Sequence, residues 1–136
     1  MEQKGGTRNM IIAVDFDGVL CENQFPRIGP PNYRMISMTR ELIDNGNEVV
    51  LWTSRVDDRL VEAVKWCEDR GLHFCAVNGN APSNVEKYGT DPRKIFADVY
   101  IDDHSIGLIF GNPGYTERCM EKLVRLLKSD TEGGKS

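Results

Sequence analysis

Short apolar runs alternate with amphipathic stretches along most of this chain. The runs place apolar side chains on successive positions, and so on both faces of an extended strand, which is typical of strands buried in a parallel sheet. The predicted strands cover residues 10–14, 49–52, 73–77, 99–101 and 108–110. We expect the last of these to be a short edge strand.

The stretches between these runs carry apolar residues at three- and four-residue spacing, which is typical of helices that pack one face on a core. The predicted core-facing positions are Met35, Thr39, Leu42 and Ile43, then Leu60, Val61, Val64 and Cys67, and finally Cys119, Met120, Leu123, Leu126 and Leu127. Asp57 and Thr116 can cap the second and the last helix, and Pro92 can begin a further short one. The alternation predicts an α/β fold, a three-layer sandwich around a mostly parallel, Rossmann-like sheet.

Size and composition indicate a single domain. The chain has 136 residues, of which 40% are hydrophobic, and this is enough to bury one core. We expect the domain to span 10–128, with disordered polar ends at 1–9 and 129–136.

Charge and hydropathy restrict the partners and the location. The formal net charge of −4 argues against broad binding to nucleic acid or to an anionic membrane. No apolar run approaches the roughly 20 residues that span a bilayer, and the polar start lacks the apolar segment of a secretory signal. The four cysteines are scattered without zinc-binding spacing. These features predict a cytoplasmic protein with no membrane partner.

Chemically reactive side chains follow three of the predicted strands. They are Asp15, Asp17 and Gly18 after the first, Thr53, Ser54 and Arg55 after the second, and Asp102 and Asp103 after the run at 99–101, with Arg93 and Lys94 upstream. Taken singly, each has an ordinary explanation as a turn, a helix cap or a surface charge. Carboxyl ends of parallel strands meet at one edge of a sheet, however, and four carboxylates gathered there repel one another. A cation must lie among them, and oxygen ligands favour Mg²⁺.

Four motifs of the chain resemble those of the haloacid dehalogenase (HAD) superfamily of phosphohydrolases. They are Asp15-Phe16-Asp17-Gly18-Val19, Thr53, Lys94 and Ile101-Asp102-Asp103, in that order. The resemblance covers roughly residues 10 to 110. It implies a HAD-type sheet and an enzyme that hydrolyses a phosphate monoester.

The resemblance assigns a role to each catalytic residue. Asp15 is the implied nucleophile, which attacks phosphorus to form an aspartyl-phosphate, and Asp17 is the implied general acid. Thr53 and Lys94 would stabilise the phosphoryl oxygens. Lys94 lies closer to the acidic pair than in many family members, so Arg93 is an alternative source of this charge.

The resemblance also implies the ligands of a magnesium ion. These are the carboxylate of Asp15, the main-chain carbonyl of Asp17 and the carboxylate of Asp103. Asp102 would act through water or by orienting its neighbour.

The spacing of the motifs leaves no room for a cap domain. One loop and one helix fill the stretch from Asp17 to Thr53, and a helix, a strand and a loop fill the stretch from Thr53 to Lys94. The connections at 21–32 and 78–91 are predicted as long loops that border the site. The chain therefore resembles capless members, whose open sites admit bulky or nucleotide-like phosphate esters or are covered by another subunit of a homo-oligomer. The predicted substrate-binding residues are Gly18, Ser54, Arg55 and Arg27.

Two alternatives stay open. The segment 97–103 resembles the deoxyribonucleotidase branch of the superfamily, which favours a nucleotidase. A non-catalytic HAD-fold protein, or a phosphoacceptor module of the receiver type, would use similar residues without turnover. Receivers place their acidic pair before the acceptor aspartate, whereas in this chain the acidic pair comes last.

Overall fold

A computed structural model describes residues 9–104 and 114–133, with side chains to residue 127. Its elements are β1 (Ile11–Val14), β2 (Cys21–Gln24), β3 (Arg27–Pro31), α1 (Tyr33–Asp44), β4 (Glu48–Leu51), α2 (Asp57–Glu68), β5 (Ala76–Val77), α3 (Pro82–Tyr88), β6 (Val99–Ile101) and α4 (Tyr115–Gly133). The edge strand predicted at 108–110 lies outside the described residues, as do positions 1–8 and 134–136 of the predicted disordered ends. The last helix continues past the domain end predicted at residue 128.

The fold is α/β, with a four-stranded parallel sheet flanked by helices. The strand order is β5-β4-β1-β6, and every pair in this sheet is parallel. The central strand β1 places Ala13 between Val50 of β4 and Tyr100 of β6. Strands β2 and β3 form a separate antiparallel hairpin.

The two faces of the sheet bury different cores because successive side chains of a strand point to opposite faces. Ile12 and Val14 of β1 belong to the larger core, which contains buried side chains of α1, α2 and α4. Ala13 belongs to a smaller core with Val50, Ala81, Ile95 and Ala97. The start of α3 and the segment before β6 therefore cover the second face.

Most predicted elements are confirmed, with shifted ends. The strands predicted at 10–14, 49–52 and 99–101 correspond to β1, β4 and β6, whereas only Ala76 and Val77 of the run at 73–77 are paired as a strand. Among helices in the described part of the chain, none is long and apolar enough to cross a membrane.

Several local predictions are wrong. The N-cap of α2 is Val56 rather than Asp57, and no side chain caps this helix end. Thr116 lies inside α4, where its buried hydroxyl has no hydrogen-bond partner. Val61 is 67% exposed, and Cys119 and Leu126 are also exposed, so these three do not face the core.

The two connections predicted as loops contain regular structure. Residues 21–32 contain the β2–β3 hairpin, and residues 78–91 contain helix α3. Pro82 lies in the first turn of α3, whereas the helix predicted to begin at Pro92 is not formed. The side chain of Asn80, which is buried, accepts a hydrogen bond from the amide of Phe96 at 2.7 Å and donates to the carbonyl of Pro92 at 3.2 Å. These bonds hold the segment after Pro92 in an irregular conformation.

Candidate active site

Three strands of the sheet end side by side at the candidate active site. Strand β1 lies between β4 and β6, so that Asp15, Thr53 and Asp102, which follow these strands, come to one edge. The amide of Asp15 donates to the carbonyl of Ile101 at 2.9 Å, which fixes the first acidic segment against the end of β6. The chain changes direction across the sheet at β1, and open α/β sheets bind ligands at such a point.

A cavity of about 590 Å³ opens at this edge. It is lined by Asp15, Asp17, Asn23, Phe25, Trp52, Thr53, Ser54, Arg55, Asp102, Asp103 and His104. The structure thus brings together both acidic motifs and the 53–55 segment, although they are far apart in the sequence.

The carboxyl groups of Asp15 and Asp103 are destabilised in their charged forms. The pKa of Asp15 is raised to about 7, mainly by burial; the negative charges of Asp102 and Asp103 also raise it, and the amide of Phe16, 2.7 Å away, lowers it. Burial is also the main reason that the pKa of Asp103 lies above its usual value, and the adjacent Asp102 raises it too. The cluster therefore favours a proton or a cation over full ionisation.

Gly18 allows the late acidic pair to approach the first acidic motif. Its φ is +89°, in the left-handed region that favours glycine, and a Cβ built on it would lie 2.0 Å from Oδ2 of Asp103. The sequence predicted that Gly18 would let a substrate anion approach the backbone. In the structure, the carboxylate of Asp103 lies against it.

Among the described residues, one buried carboxylate oxygen in this cluster has no hydrogen-bond partner. It is Oδ1 of Asp103, and Nδ1 of His104, which can form an ion pair with it when the ring is protonated, lies 3.1 Å away. One ligand atom each from Asp102, Asp103 and His104 lie within 4.8 Å of one another. A buried carboxylate oxygen without a hydrogen bond, among acids of raised pKa, fits a hard divalent cation, which carboxylates bind readily.

The second acid of the first motif is held by an arginine. Nε and Nη2 of Arg55 each donate to one oxygen of Asp17, and both distances are 2.8 Å. The side chain of Arg55 is only 1% exposed, and it also donates to the carbonyl oxygens of Pro26 and Arg27. The sequence predicted that Arg55 would bind substrate, but its guanidinium is paired with protein acceptors.

Thr53 lies at the cavity with its backbone amide already paired. This amide donates to Oδ1 of Asn78 at 2.7 Å, and the Thr53 hydroxyl oxygen accepts a bond from the amide of Arg55 at 3.1 Å. The resemblance implies that Thr53 stabilises phosphoryl oxygens; in this geometry its amide is paired with Asn78, whereas its hydroxyl proton is not used by these bonds. Sequence reasoning missed this role of Asn78, which has a φ of 52°. Asparagine tolerates this conformation better than most residues. An asparagine directly after a predicted strand is therefore the sequence feature that indicates a tight turn there.

Apart from Arg55, the cations that the sequence predicts at the site do not line the cavity. Lys94, Arg93 and Arg27 are exposed, and none of them is among its lining residues in the described part of the chain. The sequence prediction for Lys94 is not met because Asn80 anchors the irregular segment that carries it.

The hairpin and β4 contribute cavity residues that the sequence did not predict. Asn23 and Phe25 come from the hairpin, Trp52 directly follows β4, and His104, whose side chain is 82% exposed, follows the acidic pair. An aromatic residue within a long connection beside a site is the signal that indicates Phe25.

Comparisons with known proteins give one relevant relative. No family model matches the chain, and none of the curated proteins searched matches it. A solved structure of a conserved protein from Bacteroides thetaiotaomicron is similar, with 35% sequence identity, a TM-score of 0.71 and alignment over 85% of this chain and 90% of that one. The description of that protein states no activity. At this identity and coverage, the chain belongs to the same family as the conserved protein of Bacteroides thetaiotaomicron.

Proposed function

We propose that this chain is a Mg²⁺-dependent phosphatase of the HAD type, which hydrolyses a phosphate monoester through an aspartyl-phosphate on Asp15. The observation that carries the proposal is the convergence of Asp15, Asp17, Asp102 and Asp103 on one cavity at the carboxyl ends of the strands. The order of motifs along the chain, and the parallel sheet that brings them together, support it. We extend the proposal to a three-layer, capless fold in which the β2–β3 hairpin borders an open cavity.

The proposed hydrolysis takes place in two steps, in which Asp15 is the nucleophile and Asp17 transfers the protons. An oxygen of Asp15 forms a bond to phosphorus while the bond from phosphorus to the ester oxygen breaks, and Asp17 gives a proton to the leaving oxygen. Asp17 then takes a proton from water, which attacks phosphorus, releases inorganic phosphate and restores Asp15. Both oxygens of Asp17 accept hydrogen bonds from Arg55. Proton transfer therefore requires that Arg55 gives up at least one of these bonds.

The carboxylates of Asp15 and Asp103 and the main-chain carbonyl of Asp17 would hold Mg²⁺, with Asp102 beside them. Bound there, Mg²⁺ supplies positive charge against the carboxylates and the phosphoryl oxygens. Asp15 must be ionised to attack, and its pKa of about 7 leaves it partly protonated near neutral pH when no cation is bound. The hydroxyl of Thr53 is available to donate to a phosphoryl oxygen. The role of Lys94 rests on the resemblance alone.

A phosphatase screen tests this proposal. Purified protein with Mg²⁺ is assayed against a broad panel of phosphate monoesters, and Asp15→Asn serves as the blank. We expect turnover that Asp15→Asn abolishes. No hydrolysis of any ester, or hydrolysis that Asp15→Asn leaves unchanged, would contradict the proposal.

A nucleotide substrate is favoured by two aromatic side chains at the cavity. Phe25 is 58% exposed and Trp52 is half-buried, and both line the same cavity as the acids. Exposed rings offer stacking surfaces for a planar base. We therefore expect nucleoside monophosphates to be better substrates than sugar phosphates, and Trp52→Leu to reduce this preference. If the wild-type protein hydrolysed no nucleoside monophosphate, the nucleotidase hypothesis would be rejected.

A phosphoacceptor without turnover is the competing function, and the pairing of Asp17 with Arg55 favours it. An Asp17 that never leaves Arg55 cannot transfer a proton. In that case Asp15 would carry a long-lived phosphoryl group. Mass spectrometry of the protein after exposure to a small phosphate donor would detect this species, and its lifetime separates a switch from an enzyme.

A further inference from the structure

Arg55 carries a charge that is almost completely removed from water. Its side chain is 1% exposed, and its guanidinium carbon lies 5.1 Å from the ring centroids of both Phe16 and Phe25. Burial of a charged group is costly unless it is paired and hydrogen-bonded. The hydrogen bonds that this guanidinium donates to Asp17 and to two backbone carbonyls offset that cost.

The hydrogen-bond partners of the Arg55 side chain belong to two other segments of the chain, and Glu62 of α2 lies 4.0 Å from its Nη1. Its Nε and Nη2 pair with Asp17, in the turn after β1, while its Nη1 and Nη2 donate to the carbonyls of Pro26 and Arg27 at 3.2 and 3.0 Å. Pro26 and Arg27 lie at the tip of the β2–β3 hairpin, next to Phe25. One planar group thus connects the candidate general acid to the wall of the cavity.

We infer that Arg55 is a positioning residue that fixes the tip of the β2–β3 hairpin over the cavity and sets the orientation of Asp17, so that the two are placed as one unit. The part of this inference that concerns catalysis rests on the proposed phosphatase function. The hairpin forms a sheet of only two strands, which is marginally stable without other contacts. Arg55 supplies such contacts at its tip.

Lysine cannot replace Arg55 in this role. The guanidinium is a rigid fork that bonds both oxygens of a carboxylate and still has donors for the two carbonyls, whereas an ammonium group is a point charge with three donors. Arg55→Lys keeps the charge beside Asp17 but loses this geometry. The change therefore separates the positioning role from simple charge neutralisation.

The experiment measures hydrogen exchange of the hairpin and steady-state kinetics on the same variants. Arg70→Lys is the matched control, because Arg70 also lies over an aromatic ring, 3.9 Å from that of Trp66, and donates to a backbone carbonyl, but does not line the cavity. We expect Arg55→Lys to speed amide exchange in residues 21–31 about tenfold while β1 and β4 stay protected. We expect Arg70→Lys to leave hairpin exchange unchanged.

We expect the steady-state kinetics to change in Arg55→Lys and not in the Arg70→Lys control. Arg55→Lys should lower kcat, through Asp17, and raise KM, through the displaced hairpin. Unchanged hairpin exchange in Arg55→Lys, with β1 and β4 still protected, overturns the inference, whether or not the protein hydrolyses phosphate esters. Faster exchange without any phosphatase activity in the wild type supports the positioning of the hairpin and contradicts the proposed function instead.

Discussion

Gly18 is the residue on which the convergence of the two acidic motifs depends. Replacement by alanine would place a methyl group only 2.0 Å from Oδ2 of Asp103, in addition to forcing a φ of +89° on a residue with a side chain. Left-handed backbone costs roughly 1–3 kcal/mol for residues other than glycine. We expect Gly18→Ala to lower the free energy of unfolding by more than this and to displace Asp103, as measured by urea denaturation.

Gly89 provides the matched control for Gly18. Its φ is +76°, and a Cβ built on it would meet nothing within 4 Å. Gly89→Ala should therefore show the backbone strain alone, and the difference between the two variants measures the contact with Asp103. Equal destabilisation of both variants would show that Asp103 is not held against Gly18.

Because the pKa of Asp15 is raised, we expect the stability of the protein to fall as the pH rises, in protein freed of divalent ions by a chelator. Its pKa is about 7 in the folded state against 3.8 as the ordinary value. Between these values the folded state binds more protons than the unfolded state, so stability falls as the pH rises through this window and is lowest above it. Because Asp15 is partly exposed, we expect a loss of only about 1–2 kcal/mol between about pH 5 and pH 8.

Urea denaturation of the wild type and of Asp15→Asn at several pH values checks this prediction. Both proteins contain the same histidines, so the difference between their pH profiles isolates Asp15. The variant should be more stable than the wild type above neutral pH and should have a flatter profile. Parallel profiles would mean that Asp15 titrates near its ordinary value in the folded protein.

At the scale of elements, the sequence predicts what is buried in the sheet. Strands β1 and β4 were predictable because their apolar runs are buried on both faces. Strand β6 was predictable from its apolar run, although its middle residue Tyr100 is exposed. The β2–β3 hairpin was missed because Glu22, Asn23 and Gln24 are exposed and give β2 no apolar face. Helix α3 was missed because it is short, and a local pattern does not show that Asn84 is its buried residue.

The side chain of Asn80 holds an irregular segment in place, and we expect its removal to destabilise the protein. It accepts bonds from the amide of Phe96 and from Asn84, and it donates to Asp91 and to the carbonyl of Pro92. Asn80→Ala removes the acceptor of the buried Asn84 side chain and of the half-buried bond to the Phe96 amide, so we expect a loss of about 2–3 kcal/mol in the free energy of unfolding. Asn45→Ala, at the exposed end of α1, should change it by no more than about 0.5 kcal/mol. Similar small changes in both variants would show that Asn80 does not hold the segment.

The candidate site could be predicted from the sequence only where it depends on strand ends. Asp15 and Asp102 each follow a strand directly, Thr53 lies two residues after the end of β4, and parallel pairing brings the three together. The pairing of Arg55 with Asp17 was not predictable, because it depends on how the hairpin tip packs. The exposed position of Lys94 was missed because side-chain hydrogen bonds of Asn80 set the path of its segment. The spacing of apolar residues in the sequence does not show such bonds.

At the scale of the whole molecule, the acidic cluster links stability to a bound cation. The fold buries Oδ1 of Asp103, which accepts no hydrogen bond from the described residues, and raises the pKa values of Asp15 and Asp103. This local repulsion is present in the folded state and absent in the unfolded chain, so a cation that relieves it binds the folded state preferentially. Such binding stabilises the whole domain, because unfolding must release the ion.

We therefore expect Mg²⁺ to raise the melting temperature of the wild type. An ion at about 100 times its dissociation constant adds about 2.7 kcal/mol, which corresponds to several degrees for a domain of this size. Asp103→Asn should abolish most of this rise, because it removes the charge next to Gly18, whereas Asp44→Asn, at the exposed end of α1, should retain it. Thermal melts of the three proteins with a chelator and with saturating Mg²⁺ measure both effects. A wild-type transition that does not move with Mg²⁺, or a rise that survives Asp103→Asn, would place any magnesium site elsewhere.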